Sequence, residues 1–407
     1  MQEVLHLLWK LLIAFQVVLV FYLLQPFLLI LILALRKMVG LDLKKEPESL
    51  PVKQFQFGIV ITAHQETLFI PPIVDSLLKQ SYPHFNVYVI ADDCDISNLH
   101  YEDPRIHILK PPEAFNTNSK SIAFGVNHFR DSDEILVIFD PDNLVHPKFL
   151  ETLNVYYNKG YKAVQGNLYS KNIQGTYAKI DTVGVVFNSF MERDARSALG
   201  LSVSLWGCGV SVDVNIYRKI AYDNRSLMGG FDKRMQSEIV KNIPVTGYAK
   251  DAIVYDEKVI DAKNFEKQRI RWINSYFRFL GESLNLLVTG LRRRNLNLIY
   301  FGINLVRPPY FILILLALFF LDLNFYFSPL LLKIWLVALI IFFSSLIGII
   351  CARSVHKSVT KAIWYMPFFF LLQIKSFLRL NANKKSILKT GHSEVIYIDE
   401  ILKNEPS

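Results

Sequence analysis

Hydrophobic positions along this chain fall into three regimes. The first is a solid block. Leu11 to Leu35, LLIAFQVVLVFYLLQPFLLILILAL, carries no charged residue, and roughly 20 consecutive apolar residues are enough for a helix to cross a bilayer. The block is too long for the apolar core of a signal peptide, and no small-residue cleavage site follows it. Pro26 predicts a kink. Arg36, Lys37, Lys44 and Lys45 come directly after. The positive-inside rule assigns that flank to the cytoplasm and the N-terminus to the far side. A membrane helix is therefore expected over residues 1–37.

The second regime, 50–274, alternates between short β-branched runs and segments with helical spacing. FGIVITAHQE reads as a strand ending at Glu66. PPIVDSLLKQSYP follows as a helix with proline at its start. NVYVIADDCD is a second strand, and NSKSIAFGVNHF a helix capped by Asn118 or Ser119 with Lys120 near its start. EILVIFDPDN and YKAVQGNLYS are a third and a fourth strand. Strands alternating with helices predict an α/β domain whose mostly parallel sheet is covered on both faces.

The third regime is apolar but interrupted. Asn295–Leu321 holds Arg307 and the pair Pro308–Pro309 midway. An arginine at that depth is costly unless it faces protein, water or a headgroup, so this stretch reads as a broken helix or a surface helix entering a short span. Ile334–Ile350 is a second candidate. Arg292, Arg293 and Arg294 precede the pair, and Arg353 and Lys357 follow it, which predicts a hairpin with both flanks cytoplasmic and its outer turn near DLNFYFSP. Lys361–Leu380, broken by Pro367, reads as interfacial or re-entrant. The expected plan is an interfacial helix at 275–294, membrane and interfacial helices over 295–380, and a cytoplasmic tail at 381–407.

Composition agrees with that plan. Of 407 residues, 52% are hydrophobic, above the usual range of about 45–50%, and the excess lies at the two ends. The net charge of +9 sits largely beside the membrane segments, where it suits anionic headgroups. Nucleic-acid binding is a poor fit, because nothing resembles a reading helix or a stacking sheet with interleaved basic residues. Cys94, Cys208 and Cys351 are scattered, with no CxxC pair, so neither zinc nor a disulfide framework is indicated. No GxxxxGK[ST] loop is present, which disfavours an ATPase or a phosphate-driven transporter.

In open α/β sheets, ligands collect beyond the carboxyl ends of the strands. Those ends carry Glu66, Asp92, Asp93, Asp95, Asp140 and Asp142. In FDPDN, side chains two apart point the same way, and Pro141 favours an extended residue before it. Asp140 and Asp142 can therefore converge on one hard cation such as Mg²⁺ or Mn²⁺. A lone DxD is more often an acidic turn. Here it ends a strand, and a second strand ends in ADD, which favours the cation site. A third feature is EKQRIRWINSYFRFL, Glu266–Leu280. Its Gln–x–x–Arg–Trp cluster suits either a helix lying on a bilayer or a grip on a phosphate-bearing substrate.

FGIVITAHQE, LLKQSYP, VIADDCD, NSKSIAFGVN, FDPDN, GNLYSKN, WGCGVSV, DAIVYDEKV and QRIRW occur in an order and spacing that resembles the membrane-bound family 2 glycosyltransferases. That group includes the cellulose, chitin, hyaluronan and poly-N-acetylglucosamine synthases. The tail ILKTGHSE is similar to the W-x-T-x-H endings of such enzymes, with Ile387 where tryptophan is usual. The resemblance covers most of the chain and implies a GT-A type nucleotide-sugar-binding domain between transmembrane helices. It implies that Asp92 or Asp93 contacts the base or ribose of a nucleotide sugar, and that Asp140 and Asp142 hold the metal on its diphosphate. Gln268, Arg271 and Trp272 would line the acceptor and diphosphate side, which favours the site reading of that cluster. Arg269, outside the motif, would face solvent or headgroups. Glu66 falls at the substrate-side strand ends. Lys120 would help with phosphate or serve only as a cap, and Gly207 and Gly209 would let backbone approach the sugar or form a tight turn.

One departure matters. The family usually carries Thr/Ser–Glu–Asp before its GY element, whose aspartate takes the acceptor's proton. Here Ser237–Glu238 is followed by Ile239. A carboxylate is still needed as base, and Glu238 is the first candidate, with Asp232 the second. The resemblance implies an inverting, metal-dependent transferase in an inner or plasma membrane, its catalytic domain cytoplasmic, acting in polysaccharide or cell-envelope glycan synthesis. Its partners would be a nucleotide-diphosphate sugar and a glycan or lipid-linked acceptor. The alternatives are non-processive transfer to a polyprenyl phosphate, and an inactive membrane scaffold.

Overall fold

The computed structural model describes residues 2–41, 51–220, 231–354, 356–380 and 395–403. Helix α1 (Gln2–Val39) is longer than its apolar block and contains Pro26. The domain after it begins with β1 (Phe57–His64), α2 (Ile70–Leu78), β2 (Phe85–Asp92), β3 (Ile106–Leu109) and α3 (Asn118–Asn127). The residue capping α3 is Thr117, not Asn118 or Ser119. Next come β4 (Ile135–Phe139), β5 (Leu144–Val145), α4 (Phe149–Asn158) and β6 (Ala163–Ser170). Helix α5 (Gly175–Ser189) then runs through a π turn, Phe190–Asp194, into α6 (Ala195–Ala198). The domain closes with β7 (Val210–Asp213), α7 (Val214–Lys219), α8 (Phe231–Asn242) and β8 (Gly247–Asp256).

The eight strands form one sheet in the order β3-β2-β1-β4-β7-β6-β8-β5. β1 pairs in parallel with β2 and β4, and β6 with β8. β7 runs antiparallel between β4 and β6. The four strands legible in the sequence are all present. The three short ones, β3, β5 and β7, have too few alternating positions to show a period. Helices cover both faces, which explains why β1, β2 and β4 are apolar almost throughout. Ile73, Val74 and Leu77 of α2 join Phe149 and Leu153 of α4 in the core on one side. Ile122 and Val126 of α3 join Met235 and Ile239 of α8 on the other.

After the sheet come α9 (Ala262–Arg278), α10 (Leu280–Arg292), α11 (Leu296–Val306), α12 (Tyr310–Phe327) and α13 (Pro329–Arg353). Short α14 (Lys357–Lys361), a 3₁₀ turn (Ala362–Tyr365), α15 (Met366–Leu378) and α16 (Ile398–Lys403) complete the chain. Helices α1, α12 and α13 are long and apolar enough to cross a membrane. The helix break expected at Arg307–Pro309 is real, since α11 stops before it and α12 starts after it. The expected interfacial helix at 275–294 is instead the end of α9 plus α10. Most of the expected tail at 381–407, including Ile387 and its motif, lies outside the described residues, and α16 is the described part.

Hydrocarbon gives membrane helices little hydrophobic reason to associate, so polar contacts and close packing hold them. Gln16 of α1 accepts hydrogen bonds from Trp335 Nε1 at 2.8 Å and Asn324 Nδ2 at 2.7 Å. Gln25 donates to Asn304 at 2.7 Å. The sheet domain docks on these helices through α5, whose Val183 and Phe187 share a cluster with Trp335 and Phe342. At the far end of the chain, Ile398 of α16 is buried against Leu144 and Tyr255, and Lys79 pairs with Asp399 at 2.7 Å.

The α10–α11 hairpin closes on two glycines. A Cβ on Gly302 would lie 2.7 Å from Leu287 Cα, and one on Gly290 would lie 2.7 Å from Ile299 N. Both obstacles are backbone, which cannot swing aside. Gly302→Ala is therefore expected to destabilise the protein by ~1–3 kcal/mol, read as a lower thermal unfolding midpoint in detergent.

Candidate active site

A single cavity of about 1950 Å³ runs from the carboxyl ends of the strands to the membrane helices. Its walls include Glu66, Asp92, Asp140 and Asp142 at the sheet and Gln268, Arg271 and Trp272 on α9. Gly207 and Asp232 also line it. Residues from six separate chain segments are thus brought to one space.

At one end, β1 and β2 stop side by side, His64 opposite Asp92. Asp92 is 1% exposed. Its carboxylate accepts from the backbone N–H of Phe115 at 2.7 Å and of Asn116 at 2.9 Å, and it meets His64 Nδ1 at 2.8 Å. Much of its accepting capacity is therefore spent shaping the loop before α3. Gln65, Asp93 and Asn116 flank it with φ of 57°, 54° and 54°, and strained backbone of this kind tends to gather at functional sites. Asp93 itself is exposed, accepts from Gln65 Nε2 at 2.7 Å, and is not a wall residue. Lys120 is likewise not among the lining residues. His64, Asn116 and Thr117 do line the cavity. They went unread in the sequence because an isolated polar residue at a strand end carries no signal by itself.

The DPD turn is held from behind. Asn143 is fully buried, accepts from the Asp140 N–H at 3.0 Å, and donates to Asp256 at 3.4 Å. Burial raises the Cys208 thiol well above its usual pKa, and Asp256, Asp140 and Asp142 add to the effect. All three carboxylates line the cavity, as does Cys208. Among the described residues no three His, Cys, Asp or Glu side chains form a closed cage for a metal. Two carboxylates with the remaining positions left to substrate oxygens is the arrangement Mg²⁺ commonly takes at phosphate sites, and Asp140 and Asp142 fit it. Gly209 has φ +63°, and a Cβ there would press on Val254 at 2.9 Å. It is not among the lining residues, whereas Gly207 is.

A chain of buried charge joins this end to α9. Lys258 Nζ lies 2.5 Å from Asp256 and 3.7 Å from Asp181 on α5. Asp181 in turn binds Arg269 of α9. Arg269 is 6% exposed, so the expectation that it faces solvent or headgroups is corrected. Gln268, Arg269, Arg271 and Trp272 all line the cavity, and Arg269 in addition reaches α5 through Asp181. Its guanidinium also lies 4.0 Å from the Trp272 ring centroid and donates to Gln268 at 3.0 Å. Arg269 thereby fixes both neighbours that line the acceptor side.

Helix phase separates the two candidate carboxylates of α8. On α8, residues 232, 233 and 236 line the cavity. Glu238 does not. It is about one-third exposed and pairs with Lys241 at 2.8 Å. Ile239 is 0% exposed and sits in the core. Asp232, in the first turn of α8, is the carboxylate the structure brings to the cavity. Burial raises its pKa above the ordinary aspartate value, with Lys233 and Arg271 pulling it back.

The arrangement is that of a GT-A-like α/β domain, with a mostly parallel curled sheet and acids at its strand ends. The family described as "Glycosyltransferase like family 2" matches residues 54–275, and the chain belongs to it. No curated protein matches the chain by sequence. Among solved structures, the mannosyltransferase PcManGT from Pyrobaculum calidifontis, in complex with GDP-Man and Mn²⁺, is similar at a TM-score of 0.52 and 14% identity. The match covers 91% of this chain and 99% of that one. S. aureus TarS is similar at a TM-score of 0.39 and 11% identity, over 62% of this chain and 55% of TarS.

Burial opposes the Lys258 ammonium, but Asp256 and Asp181 outweigh it and raise its pKa above the usual lysine value. Its stabilising contribution is thus present below about pH 10.4 and is lost as pH rises through the folded-state pKa. Lys258→Met removes the ammonium from Asp256, which is one-quarter exposed, and from buried Asp181, which keeps Arg269, and is expected to cost ~1–3 kcal/mol, measured by thermal unfolding at neutral pH.

Proposed function

We propose that the protein is a membrane-bound inverting glycosyltransferase. It moves a sugar from a nucleotide-diphosphate sugar to a glycan or lipid-linked acceptor, in polysaccharide or cell-envelope glycan synthesis. The observation that carries this reading is one cavity lined by Asp140 and Asp142, by Asp232, and by Gln268, Arg271 and Trp272. The catalytic domain lies on the cytoplasmic side of an inner or plasma membrane, as the basic flanks of the apolar segments suggest.

The nucleoside end of the donor lies against His64, Asp92 and Asn116. Its diphosphate lies at the DPD turn, where Asp140 and Asp142 would hold a divalent cation, Mg²⁺ or Mn²⁺, which when bound would offset the charge of the leaving group. Arg271 adds a forked donor for phosphate oxygens, and Trp272 offers a flat apolar face to a sugar ring. Asp232 takes the proton of the acceptor hydroxyl as that oxygen attacks the anomeric carbon. The nucleoside diphosphate leaves from the opposite side, and configuration inverts in one displacement. PcManGT, crystallised with GDP-Man and Mn²⁺, supports the choice of a nucleotide sugar and a divalent ion for this chain.

The scaffold alternative drew on Ile239 in place of an acid. Asp232 in the cavity supplies a carboxylate from another turn of the same helix, which favours an active enzyme. Transfer to a polyprenyl phosphate shares the donor site and is separated by product length.

The test is purified full-length protein assayed against a panel of radiolabelled nucleotide sugars with Mg²⁺ or Mn²⁺. Transfer or donor hydrolysis is expected with at least one of them, and Asp142→Asn is expected to abolish it with circular dichroism unchanged. Wild-type turnover in Asp142→Asn would overturn the metal role. Asp232→Asn is expected to lower kcat ~10²–10⁴-fold. Because the base must be unprotonated and its pKa is raised, wild-type kcat should fall on the acid side at a pH above the usual aspartate value of about 3.9.

A further inference from the structure

The neck of the cavity, between the sheet domain and the membrane helices, holds more buried positive charge than its own carboxylates balance. Arg193 and Arg196 are 0% and 1% exposed, and the Arg307 side chain is 8% exposed. Glu192, on the π turn, is the carboxylate that faces all three. Asp194, the next acid, pairs with Arg353 at 3.0 Å. Arg193 stacks 3.7 Å from the Trp206 ring centroid, and its Nε and Nη2 have no hydrogen-bond partner among the described residues. Arg196 Nε is likewise without one. Arg307 Nη2 reaches Glu192 only at 3.4 Å, longer than the ~2.7–2.9 Å of a good charge-assisted bond. Arg193 and Arg196 are not lining residues; Arg307 is, with Nη1 held by Tyr310 and Gln25 and with Nη2, only loosely met by Glu192, as the cationic group offered to an anion there. Glu192, Trp206 and Arg307 all line the cavity there, with Lys233 and Arg271 toward Asp232.

Beyond the neck the wall turns apolar, with Ile314 and Leu318 of α12, Phe343 and Ile347 of α13, and Leu371 of α15. Leu318, Phe343, Ile347 and Leu371 are 50%, 42%, 45% and 62% exposed. They line the cavity and are also exposed, and α12 and α13, which carry Leu318, Phe343 and Ile347, are long and apolar enough to cross a membrane. A glycan drawn along this wall would leave its hydroxyls against hydrocarbon with no partners, at a cost for each. A lipid chain meets no such cost.

We propose that the acceptor is a lipid-linked sugar carried on a phosphate or diphosphate. Its single long apolar chain lies along α12, α13 and α15, its phosphate meets Arg307 in the neck, and its sugar hydroxyl is presented to Asp232. This rests on the transferase reading above. In the transfer the acceptor oxygen–C1 bond forms and the donor C1–O phosphate bond breaks. The hydroxyl proton passes to Asp232, and the bonding pair leaves with the nucleoside diphosphate.

The experiment uses full-length protein in zwitterionic nanodiscs and measures retention of a radiolabelled polyprenyl diphosphate. The polyprenyl alcohol of equal chain length is the comparison, and inorganic diphosphate and phosphatidylglycerol are competitors. The alcohol is expected to bind at least ~10-fold more weakly, about 1.4 kcal/mol, and neither competitor should displace the lipid. Arg307→Gln should weaken retention to a similar degree. Ile347→Trp, which fills the apolar wall without altering charge, should weaken it as well, and keeps the test decisive if Arg307→Gln does not fold. Equal retention of alcohol and diphosphate overturns the proposal. So does displacement by inorganic diphosphate, which would mark a polar phosphate site, or by phosphatidylglycerol, which would mark a bilayer headgroup contact. Unchanged retention in Ile347→Trp overturns it too. Nucleotide-sugar binding is measured in parallel on the wild-type protein. Donor binding without lipid selectivity sinks this inference alone, whereas no donor binding sinks the transferase reading.

Discussion

Charge removed from water must find charge of the opposite sign, and the architecture of this protein follows from where it does so. Asp256, Lys258, Asp181 and Arg269 form one buried series that crosses from β8 to α5 to α9. Each element would otherwise have freedom to shift against the next, because the domain meets the membrane helices through side-chain packing and not through a shared sheet. The series fixes the distance between the DPD turn and the Gln–x–x–Arg–Trp helix. Asn143 extends it to Asp140. The geometry of the cavity is therefore set by paired charges within its own wall, and precise placement is a large part of what a transferase must supply.

Much of this was legible in the sequence. The strands β1, β2, β4 and β6 are long or nearly continuous apolar runs, so their periodicity survives. The acids at their ends stood out because Asp92, Asp140 and Asp142 recur at equivalent places in successive units. What stayed hidden was hidden for physical reasons. β7 has four residues and runs antiparallel between two other strands, a placement no local pattern encodes. Arg269 looks like any surface arginine until α5 brings Asp181 to it. His64 and Lys258 gain meaning only from partners far away along the chain.

The choice between Glu238 and Asp232 illustrates the same limit. Matching a motif by sequence offset pointed at position 238 or 239. A helix turns 100° per residue, from 3.6 residues per turn, so an offset of a few positions changes the face entirely. Position 239 has joined the core, and residues 232, 233 and 236 keep the cavity face.

The DPD turn has one more support, and it comes late. Two residues beyond Asp142 the chain enters β5, and Leu144 of that two-residue strand is pinned by Ile398 from the last described helix. Chains are made from the N-terminus and their domains fold as they emerge. The DPD turn therefore waits, incompletely braced, while the apolar helices between it and α16 are made. Only when that last described helix comes back and docks does the turn acquire its full set of neighbours. A chain stalled before α16 would hold every strand of the sheet and still lack the contact of Ile398 on Leu144.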